Sequence, residues 1–134
     1  MEKRILFVDD EPSILKLLDV LACSLGYIPH CTTNGEEALN IMQRDQIRVF
    51  CLDLRMPGMD GLELCRAIKQ RDPGACVYAL SAYVATYRPE ILRSRGFDGV
   101  FPKPFDVALL KEAFETAFQK IEQRDAQDPK TAKG

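Results

Sequence analysis

No run of this chain is apolar for long enough to cross a membrane. None is built as a signal peptide either, since Met1 is followed by Glu-Lys-Arg and only four apolar residues before two acids. The five cysteines, Cys23, Cys31, Cys51, Cys65 and Cys76, contain no C-x-x-C pair and no cluster with metal-ligand spacing. An odd number of scattered thiols, most within apolar runs, points to free, buried cysteines in a reducing cytoplasm. An excess of one charge is missing as well. The formal net charge of -2 gives no strong field for nucleic acid or an anionic membrane. There is no glycine-rich nest for a phosphate and no tryptophan. What is present is 134 residues with 46% hydrophobic and 28% charged content, which suits one domain with an ample core.

The stretch 49–61, VFCLDLRMPGMDG, organises the reading. Four apolar residues lead to Asp53, and a Pro-Gly turn then stops the strand. A carboxylate at the end of a buried strand is costly unless something there needs its charge.

The same grammar repeats along the chain. Residues 5–8 are a continuous apolar run, as in a strand buried on both faces, and they end in Asp9-Asp10-Glu11-Pro12. Pro12 fits the first turn of a helix, whose apolar residues Ile14, Leu15, Leu17, Leu18, Leu21, Ala22 and Leu25 recur at helical spacing before Gly26. Residues 27–32 are a weaker strand candidate. Asn34 and Glu37 have capping-box spacing at the start of the next helix. A third strand over 47–52 ends at Asp53. Asp60 caps a helix to about Arg71 with Leu62, Cys65 and Ile68 inward. A fourth strand over 76–80 ends at Ser81. Pro89 is tolerated only in a first turn, so the following helix should start late, near 86–88. A fifth strand over 99–102 ends at Lys103, and Pro102, which cannot donate to a ladder, puts it at a sheet edge. Asp106 caps the last helix, with an inner stripe of Leu109, Leu110, Ala113, Phe114, Ala117, Phe118 and Ile121. Residues 1–122 thus form the domain. Residues 123–134, whose only apolar residues are Ala126 and Ala132, read as a disordered tail or the start of a linker.

Strands alternating with helices imply an α/β sandwich of three layers, a parallel sheet covered on both faces. Ligands of such sheets bind beyond the carboxyl ends of the strands. Four strands deliver a polar group to that edge: Asp9 and Asp10, Asp53, Ser81, and Lys103. Clustered carboxylates repel unless a cation sits among them, and an all-oxygen set that leaves room for waters suits Mg2+. Asp53 is then a metal ligand and a nucleophile able to form an acyl phosphate, with Lys103 and Ser81 facing the transferred oxygens.

Asp9-Asp10, the run from Asp53 to Gly61, Ser81-Ala82 and Lys103-Pro104-Phe105 together resemble the receiver domain of two-component response regulators, similar to the single-domain chemotaxis regulator. The resemblance covers about residues 3–121. It implies a flavodoxin-like, five-stranded parallel sheet of order 2-1-3-4-5 with five helices. It also implies that Asp53 takes phosphate from a histidine kinase or phosphotransfer protein. Asp10, Asp53 and the Arg55 backbone carbonyl would bind Mg2+, and Asp9 would act through water. Ser81 would be the switch hydroxyl, Lys103 the phosphate-contacting lysine, and Lys103–Pro104 a cis bond. Small Ala82 would leave the site open, and Arg55 and Tyr83 would tune phosphate lifetime. The output would be a change of the surface from the fourth helix to the fifth, read by a downstream protein, with weak self-association and no direct contact with nucleic acid or membrane. Catalysis would extend only to the chain's own phosphorylation and dephosphorylation.

One position departs from the family pattern. Val100 stands three residues before Lys103, where the family usually has a Tyr or Phe that swings inward on phosphorylation. Phe101 is adjacent but should face the other way on a strand. The aromatic relay is therefore expected to be absent or reworked.

Three alternatives use the same residues differently. A haloacid-dehalogenase-like phosphatase wants a second Asp two residues after its nucleophile. That position is Arg55, and although Glu11 stands two after Asp9, no cap-domain length follows. A flavin- or nucleotide-binding flavodoxin-like module conflicts with the acidic loop after the first strand, which would repel phosphate. A receiver fold kept only as a non-phosphorylated interaction module leaves the full set of phosphorylation residues unexplained. No helix-turn-helix or other output domain fits in 134 residues, so the chain reads as a stand-alone regulator or part of a longer one.

Overall fold

The computed structural model describes residues 2–82 and 87–127. Five strands alternate with five helices: β1 (Arg4–Val8), α1 (Pro12–Ser24), β2 (Ile28–Thr32), α2 (Gly35–Asp45), β3 (Val49–Leu52), α3 (Gly61–Arg71), β4 (Cys76–Ser81), α4 (Pro89–Ser94), β5 (Gly99–Pro102) and α5 (Val107–Gln127). All strand pairs are parallel, in the order β2-β1-β3-β4-β5. β5 lies at the edge, where the missing N–H of Pro102 costs no ladder bond.

The continuous apolar runs do what a two-sided sheet needs. In β1, Leu6 and Val8 pack with α2, α3 and α4, while Ile5 and Phe7 pack with α1 and α5. In β3, Phe50 and Leu52 join the first cluster, and Val49 and Cys51 the second. Each large side chain buried this way is worth about 1.5–3 kcal/mol.

Helix starts follow the local chemistry. Asn34 Oδ1 accepts from the Glu37 N–H at 2.7 Å, and Asp60 Oδ1 from the Glu63 N–H at 2.9 Å. Pro89 opens α4 in its first turn, as expected from its fixed φ and missing N–H. Asp106 Oδ1 accepts from the Ala108 N–H at 2.9 Å at the head of α5.

Four expectations need correction. Leu109 is 46% exposed, because the stripe that seats α5 is set by Leu110, Phe114, Ala117, Phe118 and Ile121, and Leu109 falls one step outside it. Leu17, at helical spacing in α1, is 57% exposed for the same reason, the buried line being Leu15, Leu18 and Ala22. α5 also continues through 123–127, into the stretch read as tail. The five cysteines are free, with Cys51, Cys65 and Cys76 buried as expected, but Cys23 is exposed and Cys31 only half-buried. No described helix is long and apolar enough to cross a membrane.

Candidate functional site

The sheet ladder runs one residue past the strands and fixes the backbone of the polar residues beyond them. The Asp9 N–H donates to the Thr32 carbonyl at 3.2 Å, the Asp53 N–H to the Val8 carbonyl at 2.8 Å, and the Lys103 N–H to the Ser81 carbonyl at 3.1 Å. Asp9, Asp53, Ser81 and Lys103 are thereby held at one edge by hydrogen bonds whose positions the parallel register dictates. Sequence reasoning passed over Thr32, the buried polar end of β2, which completes the row.

Gly61 closes the run read from Asp53, but its steric role was not legible there. A Cβ there would sit 2.3 Å from the Asp53 carbonyl oxygen and 2.9 Å from the Leu54 Cα. The head of α3 can approach the backbone of Asp53 this closely only with a glycine. The Gly61 N–H donates to the Leu54 carbonyl at 3.1 Å and ties the loop after Asp53 to the helix.

Asp9, Asp10 and Asp53 each offer a carboxylate oxygen within 4.8 Å of the other two. Asp9 and Asp53 are 2% and 6% exposed, and Asp10 is open to solvent. Lys103 Nζ lies 2.6 Å from Asp9 Oδ2, 3.7 Å from Asp53 Oδ2 and 3.9 Å from Glu11 Oε1. The other Asp9 oxygen, Oδ1, accepts from the Glu11 N–H at 2.9 Å. Both Asp9 oxygens thus have partners within the protein. Asp53 Oδ1 lies 3.4 Å from the Arg55 N–H, a long contact.

Burial pushes the Asp53 carboxyl up to about 6, and the neighbouring Asp9 charge adds to it; Lys103 and the Arg55 N–H pull the other way, and Asp10 adds a further rise. Burial alone would lower Lys103, but the hydrogen bond and charge of Asp9, followed by Asp53 and Glu11, outweigh it and hold its ammonium above the usual value. The edge therefore carries more negative charge than Lys103 balances. Asp10, Glu11, Asp53, Arg55, Ala82 and Lys103 line a cavity of about 250 Å³ over it. Ser81 is fully buried at the end of β4. The Lys103–Pro104 bond is cis. Tyr83 lies outside the described residues.

Val100 and Phe101 divide between the two faces. Val100 packs in the cluster of α2, α3 and α4, where Tyr87 also lies. Phe101 packs in the opposite cluster, its ring 5.9 Å from that of Tyr78.

The sequence pattern of the response regulator receiver domain matches residues 5–115. This chain belongs to the response regulator receiver family. Receivers work in two-component signal transduction. The chain is 32% identical over 115 residues to the transcriptional regulatory protein GlrR of Escherichia coli (strain K12), covering 86% of this chain and 26% of that protein. It is 32% identical over 113 residues to sporulation initiation phosphotransferase F of Bacillus subtilis (strain 168), covering 84% of this chain and 91% of that one. The chain spans only about a quarter of the length of GlrR and of the regulatory protein AtoC of Escherichia coli (strain K12). In fold, it superposes on the signal receiver domain of a LuxO repressor protein from Vibrio parahaemolyticus with a TM-score of 0.87 at 22% identity, over 96% of this chain and 98% of that one. The strand order and five helices expected of a flavodoxin-like receiver are those observed.

Proposed function

We propose that this receiver accepts a phosphoryl group on Asp53 from a histidine kinase or phosphotransfer protein, and that the acyl phosphate biases the surface formed by α4, β5 and α5. The observation that carries the reading is the setting of Asp53. It is a buried carboxylate in a small cavity shared with Asp10 and Lys103, with Lys103 Nζ 3.7 Å from its Oδ2. In the transfer, an Asp53 oxygen forms a bond to phosphorus while the bond from phosphorus to the donor breaks and the donor leaves with that electron pair. Lys103 faces the transferred oxygens and shifts part of its charge from Asp9 to them, and Ser81 donates its hydroxyl to one of them.

The donor set fits Mg2+: three carboxylates, no nitrogen or sulfur ligand among them, and an excess of negative charge. Asp10, Asp53 and the Arg55 carbonyl would hold it, and Asp9, with both oxygens already engaged, would act through water. When bound, Mg2+ supplies positive charge against the phosphoryl oxygens. The exposed Leu17 and Val20 of α1, the helix that starts two residues after Asp10, give a protein donor an apolar footing beside the site.

A small phosphodonor with Mg2+ tests the reading. One phosphoryl group per chain is expected, with no label in Asp53→Asn. Unchanged labelling of Asp53→Asn would contradict it, and continuous turnover of a phosphomonoester would favour the phosphatase alternative.

A further inference from the structure

The last turns of α5 lack an apolar reason to be helical. From Glu122 to Ala126 no side chain is buried, and a helix end with nothing to pack against frays. Yet the helix runs to Gln127, and a closed ring of polar contacts holds it. The ring lies at the edge of the sheet opposite Asp53. Its hub is Arg48, the residue before β3, whose own carbonyl accepts from the Cys76 N–H at 2.8 Å. Arg48 Nε donates to Asp72 Oδ2 at 3.1 Å, and Arg48 Nη1 donates to Asp125 Oδ1 at 2.9 Å. The second Asp72 oxygen accepts from the Gly74 N–H at 3.0 Å, and the Gly74 carbonyl accepts from Arg124 Nη1 at 2.6 Å. Gly74 is part of the fit, since a Cβ there would meet Arg48 Nη2 at 2.9 Å. Arg48, Asp72 and Asp125 are all half-buried, which shields their charges from salt more than a surface pair allows.

We propose that Arg48 is a clasp. It joins the end of α5 to the turn between α3 and β4 and to the strand that leads to Asp53, and so turns a terminus that would fray into a rigid arm of fixed direction. This is independent of the chemistry at Asp53. Two other features agree with it. The ring draws on three separated stretches of chain, so no local helix propensity accounts for it. Lys3 and Glu122, 4.0 Å apart and both exposed, add a weak contact to the same turn from the β1 side.

Hydrogen exchange on the full chain tests the clasp. Arg48→Met keeps an unbranched apolar stem and removes the donors, and Asp125→Ala removes one acceptor while raising intrinsic helix propensity. In both variants the amides of residues 122–127 are expected to exchange about tenfold faster, with β1 and the segment around Phe114 unchanged. The double variant should be no faster than the faster single one, because both break the same contact. If Arg48→Met loosens the whole domain, Asp125→Ala decides alone, since it leaves the Arg48–Asp72 pair in place. Wild-type exchange over 122–127 in Asp125→Ala, or no protection of these amides in the wild type, would overturn the proposal.

Discussion

Asp53 stands in the fold at a cost, and that cost can be measured. Burial and the Asp9 charge raise its carboxyl from 3.8 to about 6, so the folded chain holds this proton more tightly than the unfolded chain does. Between those two values stability falls as pH rises, and above about 6 the ionised carboxylate exerts its full cost. In metal-free buffer at pH 7, Asp53→Asn is therefore expected to stabilise the domain by about 1–2 kcal/mol, a gain that disappears near pH 3. Urea melts at the two pH values check this, and a destabilised variant at pH 7 would contradict it. At this scale the sequence showed the participants but not their pairing. Asp9, Asp53, Ser81 and Lys103 were legible because each ends or follows a strand. That Lys103 sits closer to Asp9 than to Asp53 depends on side-chain reach across the ends of β3 and β4, which no local pattern encodes.

Among the elements, strands and caps were the most legible parts. Continuous apolar runs marked β1, β3 and β4, and Pro89 and Pro102 marked a late helix and an edge strand, as observed. Helix faces were less legible. Leu17 and Leu109 match the periodicity but lie outside the buried stripes, because the docking angle of a helix decides which borderline position turns inward. The far end of α5 was illegible because its partners, Arg48 and Gly74, lie many residues away. The strand period did separate Val100 from Phe101 correctly, and the two pack on opposite faces of the sheet. Phe101, held against Tyr78, is expected to stay on that face when Asp53 carries a phosphate mimic, with no ring at position 100 to swing inward. A mimic-bound structure checks this, and Phe101 buried beside Ser81 would contradict it.

For the whole molecule, two apolar clusters clamp one sheet, and the sheet brings distant polar residues to a single edge. Topology alone makes neighbours of residues 9, 53, 81 and 103, because all four stand at the carboxyl ends of parallel strands. The opposite edge has its own polar ring at Arg48, so polar clusters stand at both ends of the strands. The proposed role of Asp53 is tested most directly by locating the phosphoryl group. After treatment with a small phosphodonor and Mg2+, borohydride reduction converts an aspartyl phosphate to homoserine, and peptide mapping by mass spectrometry finds it. Homoserine at position 53 alone is expected. Homoserine at position 9 or 10, or phosphate carried on Ser81 with Asp53 intact, would contradict the assignment of Asp53.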